Sequence, residues 1–263
     1  MANVKDTEDE DAGEGRRYRA PALEKGLDVL ELLAREARPL TMSAIVQQLD
    51  RSVGELFRMV QVLEYRGFIE ETKSGDGYRL TSRLFQLGLD QPRVKTVLEA
   101  GLPVMRDLAT ATGQSCHLAI HSDGEIVVVG RMESSEQIGF SVRPGYRRAL
   151  HRTVSGRILY AFQLEETRAL WETLLKPKAT AKELADLRRQ ADHIRASGHA
   201  KAASAFVEGI TDISAPILVA GIAIAALTVP FVHSTSARMD EDGALSRIIL
   251  AAAEISAEVP DNE

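Results

Sequence analysis

The sequence predicts an α+β protein with an N-terminal winged helix-turn-helix, a linker helix and a C-terminal antiparallel sheet flanked by helices. Three observations lead to this fold class. Three short amphipathic helical patterns precede a hairpin pattern between residues 21 and 81. One longer helical pattern follows Pro92 and ends at Gly113, and beyond it the period changes to that of strands. The uncharged run 213–232 then supplies two more strands before a last helical pattern.

The composition is that of an ordinary globular chain. The 263 residues include 44% apolar residues, 27% charged residues and one cysteine, Cys116, which excludes a chain that is disordered throughout. The single cysteine excludes an intramolecular disulfide and any metal site made of several cysteines. No apolar segment follows the N-terminal residues, so we expect no secretory signal and a cytoplasmic, reducing location.

The formal charge of −6 is unevenly distributed along the chain. Residues 1–15 hold one basic and six acidic residues, with almost no apolar ones, which predicts a disordered acidic tail. Residues 16–88 hold 12 basic and 10 acidic residues. The acidic total taken alone argues against a nucleic-acid partner, but it describes the tail and the C-terminal half rather than residues 16–88.

The predicted DNA-binding domain, residues 16–90, contains three helices and a hairpin. The first helix spans Pro21–Arg35, the second begins after the N-cap Thr41, and the third runs from the N-cap Ser52 to Gly67. Two β-prone runs, 68–72 and 78–81, flank a turn rich in Gly, Asp and Ser, which is typical of a hairpin wing. The residues expected on the inward helix faces are Leu23, Leu27, Leu30, Leu33, Ala44, Ile45, Leu49, Leu56, Val60 and Leu63.

A linker helix over residues 91–113 leads to the second predicted domain, residues 114–263. Expected strands are His117–His121, Ile126–Met132 and Gly139–Arg143, and expected helices are Val154–Gln163, Glu165–Leu175 and Lys182–Ser197.

The run Ile213–Val232 is long enough for a transmembrane helix. However, Pro216, Gly221 and Pro230 interrupt it, which favours two buried strands that turn near Gly221. A final helix, Asp240–Glu258, follows, and its inward face is expected to carry Leu245, Ile248, Ile249 and Ala252.

The third helix is the one that enters the major groove in a helix-turn-helix, and residues near its start meet base edges. Arg58 and Gln61 lie on the face opposite the apolar one, and can bond bidentately to guanine and adenine. Glu55 either accepts a hydrogen bond from cytosine or caps its own helix, and we favour the cap. The candidate DNA contacts are Thr41, Ser43, Ser52, Val53, Gly54, Glu55, Phe57, Arg58, Gln61, then Lys73, Ser74 and Arg79 in the wing, and Arg16, Arg17 and Arg19 before the first helix.

Two blocks of residues, in the same order, carry a resemblance to a known family. The first comprises residues 23–30 (LEKGLDVL), Pro39-Leu40-Thr41, residues 57–64 (FRMVQVLE), Gly67-Phe68-Ile69 and Tyr78-Arg79-Leu80. The second comprises Gly145, Leu150-His151, Thr153, Gly156-Arg157, Leu159, Gly198, Gly209-Ile210 and Ala215-Pro216. From Leu23 to Ala257 the chain thus resembles the IclR family of bacterial transcriptional regulators. This resemblance implies a DNA-binding winged helix, a linker helix and a GAF-like domain that binds a small organic acid and thereby controls catabolic genes.

The resemblance also implies an effector pocket at the start of the helix that begins at Val154. The matching positions are Val154 and Ser155, Asp212 where the family commonly has Cys, and Thr228 and Pro230 where it often has Ser. A carboxylate at Asp212 would repel a simple dicarboxylate unless it is protonated or paired with Arg143, Arg148 or His117. This favours a hydroxylated, amine-bearing or aromatic acid. The expected apolar walls are Phe140, Val142 and Leu118.

The resemblance departs from the family pattern at Gly54 and Glu55, where Ser or Thr pairs are usual, so the operator sequence is left open. The two DNA-binding domains of a homodimer, alone or within a homotetramer, are expected to bind a palindromic operator in double-stranded DNA. The first helix and the linker helix would form much of the dimer contact.

Two other functions remain open at this point: an oligomeric interaction module whose C-terminal domain binds no ligand, and, least favoured, an enzyme. No Gly-x-Ser-x-Gly, His-Glu-x-x-His, phosphate-binding loop or dinucleotide-binding glycine pattern occurs, so neither catalysis nor a cofactor is predicted.

His117 and His121 lie on one strand face but far apart, and no metal site is predicted. Asp212 can instead cap a loop, and Thr228 can be a plain strand residue.

Overall fold

The computed structural model describes residues 20–134, 136, 139–234 and 237–261, without the side chains of Leu89 and Arg93. The predicted acidic tail, residues 1–15, and the candidate phosphate contacts Arg16, Arg17 and Arg19 lie outside these residues. The chain divides into two compact units, one ending at Gly88 and one beginning at Leu89.

The first unit contains four helices and a two-stranded hairpin among its described residues. They are α1 (Pro21–Arg35), α2 (Met42–Gln48), α3 (Val53–Tyr65), β1 (Ile69–Glu71), β2 (Tyr78–Leu80) and α4 (Arg83–Leu89). The strands pair antiparallel, with Ile69 opposite Leu80, and Leu40 forms a bridge to Tyr78. A small apolar core joins the three helices to the hairpin and consists of Val29, Leu33, Ile45, Leu56, Val60 and Ile69.

The caps of the first unit follow the predictions. The Thr41 hydroxyl accepts a hydrogen bond from the Ala44 N–H at 3.2 Å and begins α2. Gly67 has φ +72°, and its N–H and that of Phe68 bond to the carbonyl groups of Glu64 and Leu63 at the end of α3.

Two predictions for the first unit are corrected. Leu23 and Leu27 were expected inward, but they are 63% and 49% exposed, because α1 turns Gly26, Val29 and Leu33 to the core instead. The leucines of α1 recur at helical spacing, but the helix face that they mark is not the face that α1 buries. Helix α4 was not predicted.

Among its described residues, the second unit is built on a six-stranded antiparallel sheet with strand order β5-β4-β3-β8-β7-β6. Its strands are β3 (Cys116–Ser122), β4 (Glu125–Met132), β5 (Arg147–Ala149), β6 (Ala200–Ala203), β7 (Ile210–Val219) and β8 (Ile222–Val232). The run that could have been mistaken for a membrane span is the hairpin β7–β8, which turns through Ala220 and Gly221, both at positive φ. None of the helices within the described residues is both long and apolar enough to cross a membrane.

Helices cover both faces of this sheet. On one face, α5 (Pro92–Thr112) and α9 (Glu241–Glu258) form a core with side chains of β3, β7 and β8. On the other, α6 (Val154–Ala161), α7 (Glu165–Leu175) and α8 (Ala181–Ser197) enclose a second core. The predicted fold class is confirmed, and the linker helix α5 packs as part of the second unit.

Three predictions for the second unit are corrected. Residues 139–143 are not a strand, because they run as an irregular segment and the edge of the sheet is formed by β5 instead. The helix that begins at Val154 ends at Ala161 rather than Gln163. Ile249 is exposed rather than inward, since α9 buries Ala244, Ile248, Ala252 and Ile255. Strand β6 was not predicted.

Candidate functional site

The start of α3 is held by the Glu55 carboxylate. Its Oε2 accepts hydrogen bonds from the backbone N–H and the hydroxyl of Ser52, both at 3.0 Å. Its Oε1 accepts from the Lys25 ammonium of α1 at 2.8 Å. The hydrogen bond from Lys25, followed by those from Ser52, lowers the pKa of Glu55 to about 2. Both carboxylate oxygens are therefore engaged within the protein, as the capping interpretation predicted.

The face of α3 opposite the core is exposed. Leu56 and Val60 are fully buried, while Phe57, Arg58 and Gln61 point away from the core into solvent. Within the described residues, neither Arg58 nor Gln61 has a hydrogen-bond or ion-pair partner. Every candidate DNA contact that the structure describes is exposed, including Thr41, Ser43, Ser52, Val53 and Gly54.

The wing presents its basic residues in two different states. Lys73 is exposed in the turn and has no partner among the described residues. Arg79 is engaged, because its Nε donates to Glu70 Oε1 at 2.7 Å across the hairpin. The Ser74 hydroxyl donates to the Asp76 carboxylate within the turn. The pair with Glu70 uses Nε and Nη2 of Arg79, so the other N–H groups of the guanidinium remain available to a phosphate.

The second unit contains a cavity of about 350 Å³, the α6 cavity, between the first turn of α6, the sheet and two loops. Six of the eight residues predicted for the pocket or its walls line it. The lining residues are His117, Ile126, Val128, Phe140, Ser141, Val142, Arg143, Tyr146, Thr153, Val154, Ser155, Ser204, Phe206, Val207, Asp212 and Thr228.

The first turn of α6 supplies free hydrogen-bond donors. The Thr153 hydroxyl caps the helix by accepting from the Gly156 N–H at 3.0 Å. The N–H groups of Val154 and Ser155, in the first turn, have no acceptor among the described residues. Such groups, together with the helix dipole, favour an anion.

Asp212 places a partly buried carboxyl group in the same cavity. Burial raises its pKa, and the opposing effects of a hydrogen bond from Ser204 and of the Arg157 charge do not cancel this. Asp212 was expected to pair with Arg143, Arg148 or His117, but the charged side chain that acts on it is Arg157. Arg148 instead lies over the rings of Tyr146 and Phe206, 4.8 Å from the centroid of the latter.

Two further polar side chains face the cavity from the sheet. His117 is 6% exposed, and its buried Nδ1 has no hydrogen-bond partner among the described residues. Burial lowers the pKa of His117 to about 4, so the imidazole is neutral near pH 7. The Ser214 hydroxyl donates to the Leu227 carbonyl at 3.1 Å, so the Thr228 hydroxyl, 2.9 Å away, donates to Ser214. Thr228 can therefore accept a hydrogen bond from a ligand.

Two predicted pocket residues do not line the cavity. Leu118 is fully buried on the opposite face of the sheet, where it packs against Gly101 of α5. The reason is strand alternation, because Leu118 follows His117 directly and must face the other way. Pro230 is buried and lies opposite Asp212 in the β7–β8 register. It is not among the residues that line the cavity.

Sequence reasoning missed the aromatic wall formed by Tyr146 and Phe206. The Arg148 Nε donates to the Tyr146 hydroxyl at 2.8 Å, and its guanidinium stacks on Phe206. These residues come from loops far apart in the chain. The sequence signal that could have indicated this wall is Phe206, an aromatic residue within the Ser- and Gly-containing loop 204–209.

The other residues considered for metal chemistry have structural surroundings. Cys116 is buried as a free thiol, and burial raises its pKa to about 12. His121 stacks on Trp171 with ring centroids 3.7 Å apart. The described residues contain no group of three or more His, Cys, Asp or Glu side chains that could hold a metal ion.

An exposed helix-turn-helix face in one unit and a lined cavity in the next define the class of DNA-binding transcriptional regulators. The family models agree. Residues 22–73 match the IclR helix-turn-helix domain, and residues 93–257 match the C-terminal domain of the bacterial transcriptional regulator IclR. The chain belongs to the IclR family of bacterial transcriptional regulators.

Individual relatives support this assignment. The chain is 30% identical to the HTH-type transcriptional regulator BhcR of Paracoccus denitrificans, covering 88% of this chain and 84% of that one. It is 27% identical to the HTH-type transcriptional repressor AllR of Klebsiella pneumoniae, over 87% of this chain and 86% of the relative.

Solved structures share the fold. An IclR homologue from Microbacterium hydrocarbonoxydans, complexed with 4-hydroxybenzoate, matches with a TM-score of 0.74 and 23% identity, over 90% of this chain and 98% of its own. HmgR from Pseudomonas aeruginosa matches with a TM-score of 0.73 and 22% identity, over 91% of this chain and 99% of its own.

Proposed function

We propose that this regulator is a cytoplasmic homo-oligomer, with no enzymatic activity, that binds a palindromic operator through α3 and the wing. Arg58 and Gln61 read base edges, while Thr41, Ser43, Ser52 and Lys73 bind phosphates or sugars. The observation that carries this proposal is the pair Arg58 and Gln61, exposed on one helix face with no described partner. Arginine and glutamine held in this way are available for bidentate contacts to guanine and adenine.

Glu55 has a positioning role in this proposal. Its two oxygens are occupied by Ser52 and Lys25, so it fixes the start of α3 and does not accept from cytosine. Gly54 has no side chain, and an added Cβ would meet nothing within 4 Å. The DNA backbone can therefore approach the first turn of α3 closely at this position.

Selection of bound sequences from a random DNA library by the full-length protein tests the DNA proposal. We expect an inverted repeat whose half-sites lie about one helical turn, or a multiple of it, apart. Light scattering should show a dimer or tetramer. A protein that stays monomeric on DNA, or enriches no sequence, contradicts the proposal.

We further propose that the α6 cavity binds a small organic acid that modulates operator binding and thereby controls catabolic genes. Its support is a set of polar groups at the cavity that have no partner among the described residues: the Val154 and Ser155 N–H groups and the buried Nδ1 of His117. Unsatisfied groups of this kind in a cavity indicate a ligand. The carboxylate would bind at the first turn of α6, where the helix dipole favours it.

The cavity favours a ring-bearing acid with a hydroxyl or amine group. Phe140, Tyr146 and Phe206 supply aromatic surface. Asp212 disfavours a second carboxylate nearby, but can accept from a hydroxyl or amine. The 4-hydroxybenzoate complex of the Microbacterium homologue is an acid of this kind in a protein of the same fold.

A thermal-shift screen tests the effector proposal, because a ligand that binds only the folded state raises the melting temperature. We expect 4-hydroxybenzoate and related hydroxylated aromatic acids to act more strongly than glyoxylate. Phe140→Ala should abolish the shift, while Leu170→Ala, an exposed residue of α7, should preserve it. No stabilisation by any acid would favour the alternative, an interaction module without a ligand.

A further inference from the structure

A second cavity, the α8 groove, lies between the first turn of α6, the C-terminal half of α8 and strand β6. Its volume is about 390 Å³. Val154 lies in the wall that it shares with the α6 cavity. The lining that the structure describes contains no acidic side chain, and its nitrogen-bearing side chains are Arg157, Gln190, His193, His199 and Lys201.

Arg157 is the main candidate for binding an anion in the α8 groove. It is partly buried, and burial lowers the pKa of its guanidinium, which the charge of Asp212 opposes. Within the described residues, no group accepts a hydrogen bond from it or lies close enough for an ion pair. A guanidinium carries five N–H donors and stays charged in proteins. The guanidinium nitrogens of Arg157 are not among the buried unpartnered atoms, so a bound anion would replace water there with charge-assisted hydrogen bonds, which are stronger than those between neutral groups.

The other nitrogen groups differ in availability. Lys201 is already neutralised, since its ammonium lies 3.2 Å from Glu241 Oε2 and 3.0 Å from Asp242 Oδ1. His199 Nδ1 lies 3.0 Å from the Ser197 carbonyl. A carbonyl only accepts, so Nδ1 holds a proton and Nε2 has no described partner. Gln190 and His193 also lack a described partner, so three side chains besides Arg157 are available.

We propose that the α8 groove is a second ligand site, which binds a phosphate group, either inorganic or carried on a small metabolite, with Arg157 as its main contact. A phosphate presents several oxygen atoms in different directions, whereas a carboxylate presents two. The available nitrogen groups come from α6, α8 and the residue before β6, which suits the larger number of acceptors.

The groove is also linked to the α6 cavity. Ala202 of the groove and Asp212 of the cavity are directly opposite in the β6–β7 register. The Arg157 charge favours the ionised form of Asp212. A phosphate on Arg157 opposes that charge, so occupation of one site changes binding in the other by the same factor in both directions. This linkage rests on the proposed effector role of the α6 cavity, while phosphate binding itself does not.

Proton NMR of the six histidine residues in the full-length protein tests the site at constant pH and ionic strength. The His193 and His199 signals are assigned with His193→Gln and His199→Gln. Titration with inorganic phosphate, methyl phosphate and acetate should shift these two signals saturably for the phosphates alone. Arg157→Gln should weaken binding by about tenfold or more. Arg189→Gln, an exposed α8 residue outside the groove, should leave it unchanged.

Each outcome of the titration either supports the phosphate site or overturns it. Saturation by methyl phosphate supports a phosphorylated metabolite, and saturation by inorganic phosphate alone supports the free ion. No saturable shift at millimolar phosphate, equal binding of acetate, or undiminished binding by Arg157→Gln overturns the proposal. If Arg157→Gln does not fold, Arg157→Lys replaces it, since a lysine keeps the charge but loses the guanidinium fork. An effector that still binds the α6 cavity would leave the proposed function intact in each case.

Discussion

Lys25 and Glu55 form an ion pair with 2.8 Å between the ammonium nitrogen and Oε1, and this pair connects α1 to the first turn of α3. The same carboxylate caps α3 through Ser52. One acidic residue therefore sets both the start of the proposed DNA-reading helix and its attachment to the neighbouring helix.

We expect Glu55→Gln to loosen α3. The folded-state pKa of about 2 lies below the ordinary value of 4.5. The ionised carboxylate therefore stabilises the fold above pH 4.5, and this contribution is lost as the pH falls towards 2. Amide hydrogen exchange of α3 should be faster in the variant at neutral pH, and the difference should vanish at the acidic end. Glu31→Gln, which removes an exposed pair within α1, is the control. Equal exchange rates at neutral pH would contradict the capping role.

Arg58→Ala should weaken specific operator binding by about 1–3 kcal/mol and relax the preference at one base position. The reason is the loss of a bidentate contact, since Arg58 has no described partner in the protein whose loss would disturb the fold. Gel-shift titration at fixed salt measures this, with Arg189→Ala as a control in the other unit. Operator affinity unchanged by Arg58→Ala would assign base reading to other residues.

Two glycine substitutions in the first unit should act in opposite directions. Gly77 has φ +121°, and an added Cβ would lie 2.3 Å from the Leu40 carbonyl carbon. Gly77→Ala should therefore destabilise the wing by about 2 kcal/mol or more. Gly54 has open space around it, and Gly54→Ala should raise stability by up to about 1 kcal/mol. Denaturant unfolding measures both, and a stable Gly77→Ala variant would show that this close approach is absent.

Leu118→Ala should lower stability by about 2–5 kcal/mol, because a fully buried leucine is removed from the α5 side of the sheet. Effector affinity should stay unchanged, since Leu118 does not line the α6 cavity. Denaturant unfolding and ligand titration below the melting temperature separate the two effects. A large loss of effector affinity with little loss of stability would show that Leu118 contributes to the effector pocket.

Asp212→Asn should raise the melting temperature at neutral pH. Burial raises the pKa of Asp212 above its ordinary value of 3.8, so its ionised form is less favourable in the folded protein than in the unfolded one. The stability cost is therefore present at neutral pH and absent below the ordinary pKa, where both states are protonated. Thermal melting across this pH range should show the gain of the variant shrinking on acidification. A gain independent of pH would point to packing rather than charge.

Much of the local structure could be predicted from the sequence because its signals are local. Thr41 and Thr153 cap helices through their own hydroxyls, and Gly67 ends α3 at a positive φ. The bounds of α1 and α7 are those that the sequence predicted. These features depend on residues within about one helical turn of each other, so neighbours in the chain are sufficient to define them.

The sequence by itself determined the order of the helices and strands other than α4, β5 and β6, the exposed face of α3 and the residues that begin α6. Only the tertiary structure decided which side chains share the α6 cavity. Periodicity sorts a strand into two faces but does not say which layer covers each face, so Leu118 was predicted for the pocket and lies behind it. The cavity joins His117, Phe206 and Asp212 from segments up to 95 positions apart. Their meeting depends on how helices and strands pack, which no local pattern records.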